Sequence, residues 1–424
     1  MLAPTPASPE SAGMSTTALT RLEAHLKSRY IDAGRFPGTQ VLIYRRGKIV
    51  HSTVQGFADL ERKVPVKDDT IFRIYSMTKP ITSVAFMMLV EEGKVALDEP
   101  VAKYIPEWKN LGVFVAGTAP AFLTRPPTRP MQIVDLLRHT SGLTYGFQQR
   151  SNVDAAYREK KIGEVIKAGT LDGMIEDLAK IPLEFSPGEA WNYSVSTDVL
   201  GYLVGKISGV PFEQFLKERI FKPLGMNDTD FFVPADKAHR FAACYSADPQ
   251  GGFNPLAAER KGTLTLQDDP TTSSFLAPPS LISGGGGLCS TAADYLTFCR
   301  ALLNGGELGG VRLLGPKTLK LMTSNHLPGG VDLPAMSRSM FAEAAYNGIG
   351  FGLGFAVTMH PAQTLIAGSP GEFNWGGAAT TSFFIDPAEE LITIFMTQVL
   401  PSSAYPLRRE LRTMVYAAIT ESNL

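Results

Sequence analysis

The sequence has few cysteines and no excess of charge of either sign. Its three cysteines are Cys244, Cys289 and Cys299, and none of them belongs to a CxxC pair. Cysteines so few and so scattered argue against a disulfide framework and permit a reducing compartment. The 40 basic residues are balanced by 41 acidic ones, for a net charge of −1. Without a basic surplus, the chain is not expected to bind nucleic acid or an anionic membrane surface.

Long apolar stretches are also missing. Runs such as residues 84–90 are far shorter than the ~20 apolar residues of a membrane-spanning helix. The first residues, MLAPTPASPESAGMS, contain neither the basic segment nor the apolar segment of a secretory leader. We therefore expect a cytoplasmic protein with no membrane partner, and the sequence does not indicate its oligomeric state.

The chain is rich in ordinary core-forming material. Of its 424 residues, 44% are hydrophobic and 19% are charged, a composition that is typical of globular proteins. This length is compatible with two or three domains, and equally with one α/β enzyme domain that carries a large insertion. Length and composition alone leave both possibilities open.

The N-terminal part of the chain alternates between helical and strand patterns. Apolar residues at helical spacing predict a helix over residues 16–29, and a strand follows over residues 38–44. A turn of sequence RGK predicts an antiparallel hairpin over residues 39–56. Residues 81–90 are apolar on almost every side, which predicts a buried helix that ends before Gly93.

The C-terminal part shows the same kind of pattern, whereas the middle differs. Three strands are predicted over residues 350–359, 377–385 and 391–398, followed by a closing helix over residues 408–419. In the middle, helical pieces are separated by loops rich in proline and glycine. The clearest of these loops are residues 118–130 and 249–284.

These patterns predict an α/β fold made from both ends of the chain. Residues 1–97 and 340–424 are expected to form one domain around an antiparallel sheet. Residues 98–339 are expected to form an inserted, mostly helical region. Both boundaries are approximate, because they lie in loops.

A serine and a lysine stand three residues apart at the start of the predicted buried helix. The motif is SMTK at residues 76–79, and its spacing places Ser76 and Lys79 on one helical face. The positive end of the helix dipole favours an alkoxide-like state of Ser76, and a neutral Lys79 can take its proton. The structural alternative makes Ser76 a plain N-cap and Lys79 a solvated residue. About one SxxK match is expected by chance in such a chain, and this is the only one present.

Two further segments carry features of a site. The first is PGEAWNYSV at residues 187–195, where Tyr193 follows a Pro-Gly turn and precedes a predicted helix. Tyr193 can equally be a packed core residue at a helix start. The second is NWGGA at residues 374–378, with two glycines at the entrance of a predicted strand. Such glycines mark either a bulge or a place where a ligand or another backbone comes close.

Other catalytic patterns are absent from the sequence. There is no GxSxG motif, which disfavours an α/β-hydrolase. The six histidines show no HExxH or similar spacing, which argues against a metal site, and a structural, hydrogen-bonded role is expected for His139. The four glycines at residues 284–287 lack the Lys-Ser/Thr of a P-loop, so they favour a close backbone approach or a positive-φ turn over a phosphate cradle. No metal and no cofactor are expected.

Taken together, the three segments resemble the serine β-lactamase and penicillin-recognising superfamily. SMTK, then YSV after a PGxxW turn, then WGG before a C-terminal strand, occur in the order and at the distances of that superfamily. The stretch LLRHTSGL at residues 136–143 and the glycine-rich stretch at residues 284–290 extend the resemblance over nearly the whole chain. The greatest similarity is to family VIII carboxylesterases and the related class C-like acyltransferases. This resemblance implies a β-lactamase and penicillin-binding-protein fold, with an antiparallel sheet flanked by helices.

The resemblance also implies a role for each motif residue. Ser76 would be the acylated nucleophile, Lys79 its proton acceptor, and Tyr193 the partner that relays or shares the proton. The backbone N–H groups of Ser76 and Ala378 would form the oxyanion hole. Losing one oxyanion donor typically costs about 10²–10³ in rate, so the segment around Ala378 should matter as much as the base.

The sequence departs from the superfamily at two substrate-binding positions. Trp375 stands where β-lactamases and penicillin-binding proteins have the lysine of KTG, and Val195 stands where their second motif has asparagine. The positive charge that binds the carboxylate of a β-lactam in those proteins is therefore expected to be absent. With Trp375 and Trp191 nearby in motif terms, the pocket is expected to suit neutral, apolar acyl groups. Further candidates for its lining are Tyr145 and Phe147 from the loop after HTSG, and Gly376 and Gly377. Taken singly, each of these aromatic residues except Trp375 is more often a core residue than a pocket residue.

The sequence thus predicts a serine carboxylesterase that hydrolyses short-chain, apolar carboxylic esters through an acyl-enzyme on Ser76. Weak hydrolysis of β-lactams is compatible with the same site, because ring strain eases acylation. An acyltransferase that uses the same serine is the first alternative. A non-catalytic ligand-binding or sensor protein of the same fold is the second.

Overall fold

The computed structural model describes residues 5–164, 169–248, 263–338 and 346–424. Its α-helices are numbered here in chain order. They are α1 (Thr16–Leu26), α2 (Thr78–Glu91), α3 (Ile133–Leu137), α4 (Asn152–Glu159), α5 (Leu171–Leu178), α6 (Ser196–Ser208), α7 (Phe212–Leu216), α8 (Lys222–Leu224), α9 (Ala292–Leu303), α10 (Pro316–Met322), α11 (Leu333–Met336), α12 (Pro361–Thr364) and α13 (Leu407–Tyr416).

The strands are numbered in the same way. They are β1 (Gly38–Arg45), β2 (Lys48–Asp59), β3 (Val64–Pro65), β4 (Phe72–Arg73), β5 (Val113–Thr118), β6 (Ala121–Arg125), β7 (Cys244–Ser246), β8 (Thr265–Asp268), β9 (Cys289–Ser290), β10 (Glu307–Leu308), β11 (Val311–Arg312), β12 (Ile349–Phe351), β13 (Ala356–Thr358), β14 (Phe373–Gly376), β15 (Ser382–Asp386), β16 (Leu391–Met396) and β17 (Val399–Leu400).

The main sheet is antiparallel and draws its strands from both ends of the chain. Within the described residues it has eight strands, in the order β12-β13-β14-β15-β16-β1-β2-β3. The first strand of the chain pairs with β16, so that Gln40 lies opposite Met396. The predicted antiparallel sheet flanked by helices is therefore confirmed. The exact division into two domains stays a prediction. Helix α9 belongs to the region predicted as an insertion, and it packs against β15 and β16 of this sheet.

Each face of the sheet is covered by helices, as the alternation of side chains requires. On one face, β1 contributes Val41 and Ile43 to a core with α1 and α13. On the other face, Leu42 joins the larger core that contains α2, α6 and α9. None of the described helices has both the length and the apolar character needed to cross a bilayer, and the cytoplasmic location stays a prediction.

The predicted N-terminal elements are confirmed. The hairpin of β1 and β2 closes with Arg45 opposite Lys48. The first helix ends at Leu26 and continues as a wider π-helical turn to Ile31. Helix α2 begins at Thr78, and its residues are buried from Thr78 to Leu89. A helix without a polar face must lie inside the protein, and α2 is accordingly the central helix of the larger core.

The C-terminal strands differ from the prediction in two places. The strand predicted over residues 350–359 is two strands, β12 and β13, because Gly354 has a φ of +101° and the chain turns back on itself there. The glycine pair of WGG ends one strand and does not begin the next. Gly376 is the last residue of β14, and β15 begins only at Ser382.

The middle of the chain also contains strands that were not predicted. Residues 118–130, predicted as a loop, include part of the hairpin of β5 and β6, in which Thr118 pairs with Ala121. The loop predicted over residues 249–284 lies partly outside the described residues, and its described part contains β8, which pairs with β7. The strands of the β5–β6 hairpin are exposed over most of their length, so no buried face imposes an alternation of apolar and polar residues on them.

The two ends of the chain are joined by one buried arginine. Arg45, which has no exposed side chain, forms an ion pair with Glu389 at 2.5 Å. Its guanidinium also donates to the carbonyl oxygens of Ala12 and Gly13, at 2.9 and 2.8 Å, and of Glu421, at 2.7 Å. A buried guanidinium that satisfies several carbonyls adds side-chain hydrogen bonds to the β1–β16 pairing of these segments.

We predict that Arg45→Met lowers the free energy of unfolding by about 3–5 kcal/mol, because it leaves Glu389 buried without its counter-charge. Urea denaturation followed by fluorescence measures this change. The control is Arg312→Met, which breaks an ion pair with Glu307 whose arginine is 58% exposed. The control should change stability by less than about 1 kcal/mol, and an equal effect of both variants would contradict the prediction.

Candidate active site

Ser76 lies in a tight turn between a short strand and the buried helix. Strand β4 ends at Arg73, a 3-10 turn spans Tyr75–Met77, and α2 follows at once. Tyr75, directly before Ser76, has a φ of +42°, which places it in the left-handed region. A bulky residue adopts this conformation only where the surrounding structure enforces it, and such strain is found most often at functional sites. The turn leaves Ser76 only partly buried, at the wall of a cavity.

The three residues predicted to be catalytic meet at the hydroxyl of Ser76. The Tyr193 hydroxyl donates to Ser76 Oγ at 2.7 Å. Lys79 Nζ lies 3.3 Å from the same oxygen. Lys79 is 2% exposed and Tyr193 is 5% exposed. Both potential proton acceptors are therefore withdrawn from bulk water, and each is within hydrogen-bond reach of the nucleophile.

The glycine-rich stretch supplies a further contact to the lysine. Gly285 O accepts a hydrogen bond from Lys79 Nζ at 2.6 Å. Gly284 O, beside it, accepts from the Thr82 hydroxyl at 2.8 Å, so the stretch lies along α2. A Cβ atom at Gly285 would lie 2.4 Å from Asp198 Oδ2. The expected close backbone approach is confirmed here, and only glycine fits the space.

Asp198 was not predicted from the sequence, whereas Gly285 lies in the glycine run that the sequence had singled out. Asp198 lies in α6, is 2% exposed, and accepts from the Gly285 N–H at 3.0 Å. The unusual run of glycines was a signal for Gly285. Asp198 gave no such signal, since a single aspartate five residues after Tyr193 has no motif of its own.

The structure brings only some of the predicted substrate-binding residues to the cavity. Tyr145 and Trp375 line the cavity, together with Phe147. Tyr145 also contacts Lys79, with its hydroxyl oxygen 3.1 Å from Nζ. Val195 is not brought to the cavity, because it immediately precedes α6 and its side chain is fully buried in the core. Trp191, a further candidate, is also buried, and it packs with its ring 6.2 Å from that of Tyr193.

The WGG segment forms the opposite wall of the cavity. The Trp375 ring lies 5.5 Å from the Tyr193 ring. A Cβ atom at Gly377 would lie 2.2 Å from Thr381 Oγ1 and 2.5 Å from Ile74 O, so glycine is required there. The Gly377 N–H donates to Thr381 O at 2.8 Å and closes a loop that contains Ala378. This close approach sets Ala378 beside the turn that carries Ser76.

The two N–H groups expected to form an oxyanion hole belong to residues that line the same cavity, Ser76 and Ala378. In the described part of the chain, neither N–H donates to another backbone carbonyl. Backbone N–H groups at a cavity wall without an internal acceptor are the usual components of an oxyanion hole. The arrangement is therefore compatible with the predicted role of both groups.

A cation reaches the cavity from a direction that the sequence did not indicate. Arg408, in the first turn of α13, lines the cavity and donates to Gly377 O at 2.9 Å and to Thr381 O at 3.1 Å. We expected this wall to lack charge because Trp375 replaces the lysine of KTG. The expectation of an uncharged wall was wrong. The Arg408 guanidinium, which comes from a helix far along the chain, lies against Gly376, and this glycine has no side chain that would exclude it.

The cavity has a volume of about 700 Å³. This volume lies in the range of pockets that enclose small organic molecules. Its lining includes the aromatic rings of Tyr145 and Phe147, which stack with their centroids 4.8 Å apart. The site can therefore hold an apolar group against the nucleophile.

His139 has the structural role that was expected. Its Nδ1 lies 3.2 Å from Ser194 Oγ, and its ring packs 5.0 Å from the ring of Tyr193. Burial lowers the pKa of His139 well below its ordinary value. Burial therefore favours the neutral form of His139 in the folded protein.

This neutrality makes stability depend on pH. Below about pH 6.5 an unfolded histidine gains a proton that folded His139 does not, so the unfolded state binds more protons. The free energy of unfolding should therefore fall with decreasing pH, with about 1.4 kcal/mol per pH unit from this residue between about pH 6 and 5. Urea denaturation across this range should show a shallower slope for His139→Gln than for the wild type. Equal slopes would contradict the prediction.

Comparison with known proteins places the chain in a family. The model of the family described as Beta-lactamase matches residues 20–417. Protein Rv1367c of Mycobacterium tuberculosis is 37% identical over 374 residues, which cover 87% of this chain and 88% of that protein. Esterase EstB of Burkholderia gladioli is 31% identical over 428 residues, which cover 96% of this chain and 99% of EstB.

The fold is also that of solved structures. The structure described as EstCE1, a hydrolase with promiscuous acyltransferase activity, superposes with a TM-score of 0.75 at 25% identity, covering 96% of this chain and 99% of that one. Simvastatin synthase from Aspergillus terreus superposes with a TM-score of 0.77 at 24% identity, which shows the shared fold. The chain therefore belongs to the beta-lactamase family and is a serine hydrolase of the penicillin-recognising superfamily.

Proposed function

We propose that this protein is a serine carboxylesterase that hydrolyses short-chain, apolar carboxylic esters through an acyl-enzyme on Ser76. The observation that carries this proposal is the shared hydrogen-bonding of one hydroxyl: Ser76 Oγ lies 2.7 Å from the Tyr193 oxygen and 3.3 Å from Lys79 Nζ. A serine acts as a nucleophile only when a neighbouring base takes its proton. Two such groups stand at this serine.

Acylation begins when Ser76 Oγ attacks the ester carbonyl carbon. Lys79, in its neutral form, accepts the hydroxyl proton as the new C–O bond forms. The carbonyl oxygen becomes an oxyanion and accepts hydrogen bonds from the N–H groups of Ser76 and Ala378. The tetrahedral intermediate then collapses, the alkoxide leaves, and the proton passes to it through the Tyr193 hydroxyl. The products of this half-reaction are the free alcohol and the Ser76 ester.

Deacylation repeats these steps with water as the nucleophile. Water loses a proton to the Lys79 and Tyr193 pair while its oxygen attacks the acyl carbon. Collapse of the second intermediate returns the proton to Ser76 Oγ and releases the carboxylic acid. Because the alcohol departs before water enters, the kinetics should be of the ping-pong type. No metal or cofactor takes part in this scheme.

The lining of the cavity supports an ester with an apolar acyl group. Tyr145, Phe147 and Trp375 contribute aromatic surface to the cavity that Ser76 also lines. An ester needs less assistance than an amide, because its alcohol leaves without strong protonation. The names of two relatives, an esterase and a hydrolase, point the same way. Slow hydrolysis of strained β-lactams is a side reaction that the same chemistry permits.

An acyltransferase is the second candidate, and the size of the cavity favours it. A volume of about 700 Å³ exceeds what a short acyl chain fills. The remaining space can admit an acceptor alcohol in place of water. The similar structure EstCE1 is described as having promiscuous acyltransferase activity. The step would be the same deacylation, with an alcohol oxygen attacking the acyl carbon.

We predict that the protein hydrolyses p-nitrophenyl acetate and butyrate faster than the octanoate, and faster than it opens nitrocefin. Release of p-nitrophenol measures the ester reaction. Ser76→Ala should lose activity by about 10³-fold or more, and Tyr193→Phe by about 10²–10⁴-fold, because each removes a group that handles the proton or the bond.

Rapid nitrocefin turnover with untouched esters would overturn this substrate ranking. Full activity of Ser76→Ala would favour a different nucleophile. A stable acyl-enzyme that never turns over would favour the non-catalytic sensor. In the same assay, an added alcohol separates the two enzymatic candidates, since an acyltransferase forms more of the new ester than of the free acid.

A further inference from the structure

Two tyrosines contact Lys79, and their surroundings differ. Tyr193 has its ring 4.6 Å from Lys79 Nζ and its hydroxyl on Ser76 Oγ. Tyr145 has its hydroxyl 3.1 Å from Nζ, and on its far side this hydroxyl faces Asp198 Oδ2 at 3.5 Å. One phenol is therefore directed at the nucleophile, and the other at a buried carboxylate.

The carboxylate of Asp198 holds the other partner of the lysine as well. Its Oδ1 accepts from the Ser283 hydroxyl at 2.6 Å and from the Gly285 N–H at 3.0 Å. The carbonyl of the same Gly285 accepts from Lys79 Nζ at 2.6 Å. A Cβ atom at Gly285 would lie 2.9 Å from the Tyr145 hydroxyl, so glycine, aspartate and tyrosine fill this space completely. The two partners of Lys79 Nζ other than Ser76, the Gly285 carbonyl and the Tyr145 hydroxyl, are thus both held by the side chain of Asp198.

This arrangement determines where the lone pair of a neutral Lys79 points. An amine nitrogen has three positions besides its bond to carbon. Here they face Gly285 O, the Tyr145 oxygen and Ser76 Oγ. The first two are fixed acceptors for the two N–H bonds of the neutral amine. The lone pair is then left for Ser76 Oγ, and the ammonium that forms after proton transfer finds an acceptor for each of its hydrogens.

Tyr145 accepts an N–H from Lys79 without competing for its proton as long as it keeps its own proton. Burial and the negative charge of Asp198 raise the pKa of Tyr145 well above its ordinary value, and Tyr193 contributes in the same direction. The Tyr145 hydrogen is accordingly available to Asp198, while its oxygen receives an N–H from Lys79. Tyr145 is thus suited to hold the amine and unsuited to accept a proton from it.

We propose that Tyr145 and Asp198 are positioning residues that direct the lone pair of Lys79 at Ser76, and that Tyr193 is the phenol that passes the proton. This inference rests on the proposed function, since it assigns roles around the same nucleophile. It also changes the role that the sequence indicated for Tyr145, from a pocket residue to a partner of the base.

The test compares the steady-state kinetics of Tyr145→Phe, Asp198→Asn and the double variant, with p-nitrophenyl butyrate as substrate. Each single variant should lower kcat by about 10- to 100-fold, as misdirected catalytic groups do, with KM changed by less than about threefold. Asp198→Asn keeps an oxygen for Ser283 and Gly285, so the fold has its hydrogen bonds. The double variant should have a kcat only slightly below that of the less active single variant, because both substitutions act through the same Lys79 amine.

The pH profile of kcat/KM separates positioning from proton transfer. Tyr145→Phe should keep both limbs of the wild-type profile at the same pH and lower only the plateau. Loss of a limb would show that Tyr145 itself titrates, and would overturn the proposal. A higher KM with unchanged kcat would do the same, because it would make Tyr145 a simple pocket residue.

The matched control is Tyr30→Phe. Tyr30 is a fully buried tyrosine that donates to the carboxylate of Glu410 at 2.7 Å, in the core on the opposite face of the sheet. This variant should leave kcat unchanged, and an equal loss of kcat in it would assign the effect of Tyr145→Phe to general destabilisation and overturn the proposal.

If the wild type lacks Ser76-dependent ester hydrolysis, the proposed function fails. If it has that activity and both single variants match it, only the present inference fails.

Discussion

A primary amine buried beside a serine hydroxyl is the feature on which the site depends. Lys79 is almost completely removed from solvent, and its three hydrogen-bond partners are oxygens of uncharged groups. Burying an amine costs free energy unless every polar position finds a partner. Here the partners come from three separate parts of the chain: the Ser76 turn, the loop that carries Tyr145, and the glycine stretch. Burial of the Lys79 amine is therefore favourable only when the fold brings these three parts of the chain together.

The rest of the fold can be understood as the means of holding these parts. Helix α2 is buried through most of its length and fixes Ser76 and Lys79 on one face. Helix α6 packs against α2 and carries Asp198, which anchors Gly285. The sheet brings its strand β14 to the turn at Tyr75–Met77, so that the WGG segment closes the cavity. The strained backbone at Tyr75 is tolerated because helix and strand fix the chain on either side of it.

Much of this could be predicted from the sequence, and the remainder could not for a physical reason. Elements with a strong periodicity, such as α2 and the β1–β2 hairpin, were found, and the motif residues Ser76, Lys79 and Tyr193 do meet in space. Asp198 and Arg408 were missed because their contacts join residues far apart in the chain, and neither belongs to a local pattern. Val195 was expected at the substrate pocket but is buried in the core, because a motif position says little about the direction of a side chain at the start of a helix.

The most direct measurement is the location of the covalent intermediate. The protein is incubated with an activated ester or a p-nitrophenyl phosphonate, quenched in acid, digested and sequenced by tandem mass spectrometry. If a buried amine activates the neighbouring hydroxyl, the adduct should lie on Ser76 and form far more slowly in the variant Lys79→Met. An adduct on another residue, or a Lys79→Met variant that reacts as fast as the wild type, would contradict the central claim.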